Sequence, residues 1–283
     1  LLKEFGEDRF IDTPLAEGLI AGVSVGLAAQ GFRPVAEIQF TGFIYPAIDQ
    51  LANHASRLRT RTRGRLTCPM VLRSPCAGGI HAVEHHSESP EAMFAHIPGL
   101  RVVIPASPAR AYGLLLAAIR DPDPVVFLEP TKLYRSITEE VADDGQSLAL
   151  DRAFVLRPGK DATLIVWGTM VPEAMAAAQA LAAEGADIEV IDVATLKPLD
   201  SGTLVASVAK TGRCVIAQEA PLSCGVGAEI AARLAEGALT SLLAPIERVA
   251  GWDVVMPYSR LESHYLPGAA RIGAALRRAL AYA

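Results

Sequence analysis

At 283 residues, 51% hydrophobic and 20% charged, the chain is long enough for two domains of ordinary size and has the balance of a well-packed globular protein. A formal charge of −5 gives no electrostatic case for nucleic acid or an anionic membrane, and no apolar run approaches the ~20 residues that span a bilayer. The four cysteines (Cys68, Cys76, Cys214, Cys224) show no CxxC pair and no metal-ligand spacing, so they read as small buried hydrophobes in a reducing compartment.

The chain opens on LLKEFGEDRF, which reads as mid-helix rather than a start at Met, so further residues are expected upstream. Phe10 and Ile11 read as the end of a buried strand. Thr13 and Pro14 read as a helix start, with Thr13 capping free amides and Pro14 in the first helical position. A helix of small residues follows and stops at Gly31, which tolerates the left-handed conformation that ends helices. Glu17 lies in the first turn of that helix. A capping box would need Glu or Gln at residue 16, which is Ala. Glu17 is therefore either a surface carboxylate favoured by the helix dipole or a partly buried acid that must find a partner.

Strand-like and helix-like segments then alternate, which predicts an α/β architecture of two domains with mostly parallel sheets flanked by helices. The first domain has strands at 34–40, 70–73, 101–104 and 125–128. Helices fall at 44–59, 91–96 and from Ser107-Pro108 to Arg120. Residues 129–151 are polar and aperiodic. The expected division is a first domain over 1–135, a linker over 136–151 and a second domain over 152–283. Strands are expected there at 162–167, 188–193, 213–218 and 246–249, and helices at 171–183, 202–210, 227–235 and 269–281.

Four of the six histidines, His81, His85, His86 and His96, fall in GGIHAVEHHSESPEAMFAH. The glycines before the cluster and Pro90 after it argue against a helix, so the i, i+4 pair His81–His85 makes a poor metal site. Acid–base or anion-contact chemistry and structural hydrogen bonding remain as readings. CGVGA at 224–228 lacks the third glycine of a dinucleotide loop and reads as a helix-entry turn. Ser223 has no nucleophile-elbow context. The alternating basic run Arg57 to Arg65 lacks interleaved aromatics and reads as a solvated face or subunit contact.

Five segments in order, DTPLAE (12–17), AEIQFTGFIYPAIDQ (36–50), HHSESPEAMFAHIPGL (85–100), AAIRDPDPVVFLEP (117–130) and DVATLKPLD (192–200), resemble the beta subunits of thiamine-diphosphate-dependent 2-oxo acid dehydrogenases. These are the pyruvate and branched-chain type of the transketolase-like superfamily, and the likeness covers nearly the whole chain. It implies a pyrimidine-binding domain followed by a transketolase C-terminal-like domain for assembly and docking. It also implies a heterotetramer of two alpha and two beta chains that feeds a lipoyl-bearing acyltransferase. The alpha subunit of such enzymes carries the GDG…NN motif for magnesium and the cofactor diphosphate; here Asp143-Asp144-Gly145 has no Asn pair after it. A serine is frequent in the family where this chain has Gly18.

By the same resemblance, Glu17 hydrogen-bonds a ring nitrogen of the aminopyrimidine, in keeping with an acid whose apolar neighbours favour its protonated form. Phe43 stacks near the pyrimidine and Gln39 lies on the same strand edge. His86 contacts the substrate carboxylate or protonates the lipoyl sulfur. A potassium ion is implied on the backbone carbonyls of Met70, Ala118, Ile119, Asp121 and Asp123. Two other readings stand beside this one: a fragment of a single-chain transketolase-like enzyme, and a non-catalytic assembly or docking subunit of the same fold. Substrate choice between pyruvate and branched-chain 2-oxo acids is not legible. The lack of a targeting segment suggests a bacterial cytoplasm and leaves a mitochondrial matrix open.

Overall fold

In a computed structural model that describes residues 1–282, two five-stranded sheets carry helices on their faces. The first half runs α1 (Leu2–Phe5), α2 (Glu17–Ala29), β1 (Val35–Glu37), α3 (Leu58–Arg61), β2 (Val71–Cys76), α4 (Glu91–His96), β3 (Arg101–Val103), α5 (Pro108–Arg120) and β4 (Val125–Pro130). The second runs β5 (Phe154–Arg157), β6 (Ala162–Val166), α6 (Met170–Ala182), β7 (Ile188–Asp192), β8 (Thr195–Lys197), α7 (Ser201–Thr211), β9 (Cys214–Pro221), α8 (Val226–Ala238), β10 (Glu247–Gly251), α9 (Ser259–Tyr265) and α10 (Ala269–Ala281).

The first sheet has the order β1-β2-β4-β3-β8 and the second β10-β9-β6-β7-β5. All pairings are parallel except β8 on β3 and β5 on β7. The central strands β4 and β6 are buried along their whole length, as apolar runs covered on both faces require. One core cluster spans both sheets, joining Leu72, Phe94 and Val102 to Trp167, Ile191, Leu204 and Ile216. Strand β8 was not legible from its three residues. It belongs to the second half of the chain but completes the first sheet, opposite Val102 and Val103.

Local signals worked where a side chain or a φ angle decides. Ser107 accepts from the Arg110 amide at 3.4 Å with Pro108 behind it, and Asp200 caps α7 through the Thr203 amide at 3.1 Å. Gly31 (φ 93°) follows α2 and Gly212 (φ 70°) follows α7.

Three expectations need correction. Phe10–Ile11 is not a strand, because no strand lies beside it to share a ladder; Ile11 and Leu15 are exposed. Thr13 is not a cap: a turn from Pro14 O to the Ala16 amide (2.8 Å) delays the helix, which begins at Glu17 with no side-chain cap. The helix expected at 44–59 is a run of short turns at Tyr45–Ala47, Gln50–His54 and Ala55–Arg57 before α3, with the middle one widened to a π-turn. Pro46 removes a donor at its start, yet Ala47, Leu51 and Ala55 still bury one face at four-residue spacing.

From Arg135 to Ala153 there is no helix or strand. This stretch lies along α5, with Tyr112 Oη donating to Asp143 (2.8 Å) and the Leu148 amide to Gly113 O (3.0 Å). Among the described residues no helix is long and apolar enough to cross a membrane.

Candidate active site

Beyond β1 the chain reaches a turn at Thr41–Phe43 that packs on the loop between β2 and α4. Buried Thr41 donates to Glu88 O (3.2 Å), Tyr45 Oη donates to the Glu88 carboxylate, and the Gly42 backbone lies against His85. This contact builds an aromatic wall. The Phe40 and His86 rings are 4.2 Å apart, Phe43 meets His85 and His86 edge-on at 5.3 and 5.6 Å, and the two histidines lie 4.4 Å apart. His81 and His96 stand apart from that wall. Among the described residues no group of three or more His, Cys, Asp or Glu side chains is arranged to hold a metal.

Glu17 is the first residue of α2 and is half-buried; among the described residues its carboxylate has no hydrogen-bond or ion-pair partner. The first turn of α2 rests on Tyr45–Ala47, where a Cβ on Gly18 would sit 3.3 Å from Pro46 O. Residues 43–47 therefore connect the Glu17 turn directly to the Phe43–His86 wall. An unpartnered carboxylate and a partly exposed phenyl ring on adjoining turns suit a flat heterocycle with ring nitrogens, so these residues fit an aminopyrimidine. Gln39 is exposed two residues beyond β1, which ends at Glu37 rather than Phe40.

Of the five positions expected to bind potassium, Ala118, Ile119, Asp121 and Asp123 lie where α5 leads into β4, and Met70 lies just before β2. Met70 O accepts from the Val125 amide (3.0 Å), and Ala118 O from the Asp121 amide (3.3 Å). Arg33 Nη1 donates to Ile119 O (2.7 Å) and Asp121 O (3.1 Å). The carboxylates of Asp121 and Asp123 pair with Arg101 (2.9 Å) and Arg59 (2.7 Å). Three members of the basic run thus serve local pairing: Arg59 on Asp123, Arg61 on Asn53 O and Arg65 on Thr62 O. In CGVGA, Gln218 Oε1 accepts from the Gly227 amide (2.8 Å) and Gln218 Nε2 donates to Pro221 O (2.7 Å). The α8 entry is closed by its own strand, as a plain turn would be.

Three buried carboxylates beneath the histidine loop escaped the sequence reading. Glu219, on β9, accepts from the Gly78 amide (2.6 Å), Ser89 Oγ (3.2 Å) and the Thr169 hydroxyl. Glu262, on α9, accepts from the amides of Gly79 (2.6 Å) and His81 (3.2 Å) and lies 2.8 Å from His81 Nδ1. Glu91, opening α4, accepts from Trp167 Nε1 (3.1 Å), while its second oxygen is buried without a partner. Burial raises the Glu219 pKa and pushes that of Glu91 up to about 7. In sequence, the one visible signal is a polar Gln-Glu pair ending the apolar run CVIA.

Residues 1–136 match the transketolase pyrimidine-binding domain and residues 151–272 the transketolase C-terminal domain. Over 267 residues the chain is 50% identical to the pyruvate dehydrogenase E1 component subunit beta of Staphylococcus epidermidis and 49% identical to that of Bacillus subtilis. Each alignment covers 94% of this chain and 82% of the relative. A solved structure described as a split gene transketolase, inactive beta4 tetramer, superposes with a TM-score of 0.82 at 28% identity, over 99% of this chain and 87% of that one. With the two matched domains in order and half of its residues shared with these subunits, the chain belongs to the beta subunits of the thiamine-diphosphate-dependent 2-oxo acid dehydrogenases.

Proposed function

We propose that this chain forms the aminopyrimidine side of a thiamine-diphosphate site shared with an alpha subunit, in an enzyme that oxidatively decarboxylates pyruvate. The observation that carries the reading is the half-buried Glu17 carboxylate, without a partner among the described residues, one turn of chain away from the Phe43–His86 wall. Bound there, the cofactor supplies the electron sink for loss of carbon dioxide. Glu17 holds a proton at a ring nitrogen, Phe43 stacks on the ring, and Gln39 lines the rim. His86, braced by Phe40, contacts the substrate carboxylate or gives a proton to the lipoyl sulfur as the acyl group leaves for the second component.

The naming of the relatives favours pyruvate over branched-chain acids, and a separate beta subunit over a fragment of a single-chain enzyme or a non-catalytic docking subunit. Magnesium and the diphosphate fall to the alpha subunit, since this chain has no GDG…NN motif. Exposed Leu15 just before α2, and Leu19 and Val23 on it, support a subunit contact there, in a heterotetramer of two alpha and two beta chains. The second half of the chain serves assembly and docking, and bacterial relatives support a cytoplasmic setting. A potassium ion on the carbonyls near Asp121 would share two of them with Arg33, which leaves each a free lone pair.

The test is dye-coupled decarboxylation of pyruvate and 2-oxoisovalerate, with cofactor and magnesium, by the chain alone and with its co-expressed alpha partner. Turnover is expected with the partner and not without it. Glu17→Ala should abolish turnover and leave assembly intact; a Glu17→Ala complex that still turns over would sink the cofactor assignment.

A further inference from the structure

We infer that Glu219 and Glu262, both from the second half of the chain, are positioning residues for His85 and His86. The inference rests on the active-site reading above. The loop from Ala77 to Ser89 is closed by the Ala77 amide donating to Glu88 O (2.8 Å), and its entering arm adopts left-handed backbone at Ala77 (φ 70°), Gly79 (φ 86°) and His81 (φ 59°). Two of those three carry side chains, so the arm holds this shape only where its surroundings impose it. The surroundings are the two carboxylates. Glu219 takes the Gly78 amide and the hydroxyl of Ser89, at opposite ends of the loop, and Glu262 takes the amides of Gly79 and His81.

Both carboxylates are at least 95% buried, a costly place for such groups unless hydrogen bonds offset the lost water. Glu262 spends both oxygens on this arm. The Met256 and Lys132 side chains pack against the arm, within 2.6 and 2.7 Å of where a Cβ on Gly78 and Gly79 would lie. Downstream, Gly42 packs on His85, so any drift of the loop moves both imidazoles relative to Phe40 and Phe43. The second half of the chain thereby sets the geometry of histidines in the first.

The experiment uses the assembled alpha–beta enzyme with Glu262→Gln, Glu262→Ala and Glu219→Gln, read by amide hydrogen exchange over residues 77–89 and by steady-state kinetics. Glu262→Gln keeps one acceptor oxygen and replaces the other with a donor. It should raise exchange in the loop about tenfold and lower kcat by roughly tenfold or more, with the KM for pyruvate and cofactor affinity changed less than threefold. Glu262→Ala should go further on both readouts. Glu189→Gln removes an equally buried carboxylate bonded to Ser207 and Lys210, far from the loop in sequence, and should leave loop exchange and kcat unchanged. Loop exchange unaltered in Glu262→Gln and Glu219→Gln, or faster exchange at unchanged kcat, overturns the inference. An inactive wild-type complex instead sinks the reading of the site, while the exchange arm still decides whether the carboxylates hold the loop.

Discussion

Gly42→Ala tests whether the wall between the Thr41–Phe43 turn and the histidine loop is needed at its present spacing. A Cβ there would lie 2.7 Å from the His85 carbonyl carbon and 2.8 Å from its Cβ, and closer still to the carbonyl oxygen, where real Cβ atoms keep at least 3.0 Å. Neither side can retreat freely. Amides of His86 and Ser87 tie back to Val83 O (3.0 Å) and Glu84 O (2.9 Å), and Thr41 is pinned to Glu88 O. The two segments must part by roughly 1 Å, a misplacement that costs on the order of 10²-fold in rate when it moves a reacting group. Overpacking of this kind also costs about 1–3 kcal/mol, or several degrees in Tm. The assay is the dye-coupled reaction of the assembled enzyme beside a cofactor titration, in which affinity should also weaken because Phe43 rides on the displaced turn. Wild-type kcat and Tm in Gly42→Ala would refute the argument that this contact sets the histidines.

His86→Ala should impair acyl transfer to a lipoyl acceptor at least tenfold more than dye reduction; equal losses in the two assays would remove its role in transfer. Glu91 has an ordinary carboxylate value of 4.5 when unfolded and about 7 when folded, because burial outweighs the hydrogen bonds that favour its charge. The folded chain therefore keeps a proton that the unfolded chain releases, and stability falls as pH rises from about 4.5 to 7, by on the order of 3 kcal/mol. Glu91→Gln mimics the protonated form, so its urea-melting advantage over wild type should grow from pH 5 to pH 8; a pH-independent gap would contradict this. Replacing NaCl by KCl at equal ionic strength should raise Tm if potassium binds the carbonyls of Met70, Ala118, Ile119, Asp121 and Asp123. Identical melting in the two salts would dismiss that site.

What could be read from sequence divides along the reach of the interaction. Helix α5 announced itself because Ser107, Pro108 and the helix they start are neighbours in the chain, and the stop at Gly31 follows from one residue's freedom at positive φ. Phe10–Ile11 failed because an apolar pair reads alike in a strand and in an exposed extended segment; what separates them is a neighbouring ladder, which no local pattern encodes. The resemblance pointed to Phe43 and His86, and the fold brings them together as ring neighbours; their roles in catalysis are for the assays to decide. Glu219 and Glu262 were invisible. Each meets its amides across 141 or more positions, and a lone acidic residue in a helix such as SRLESHY looks like solvent-facing charge until tertiary packing buries it.

The seat of β8 on β3 has a consequence for dividing this chain. Lys197 strengthens that seat by donating to Ala95 O (2.7 Å) and Ile97 O (2.9 Å), across the α4 terminus. A cut within the irregular stretch would strip the first fragment of its last strand and bare Val102 and Val103, now fully covered, along an open edge. The second fragment would carry Thr195–Lys197 without a ladder. The two fragments would carry the two halves of one ladder, and two intact chains with this seat opened would have the matching parts for a domain swap.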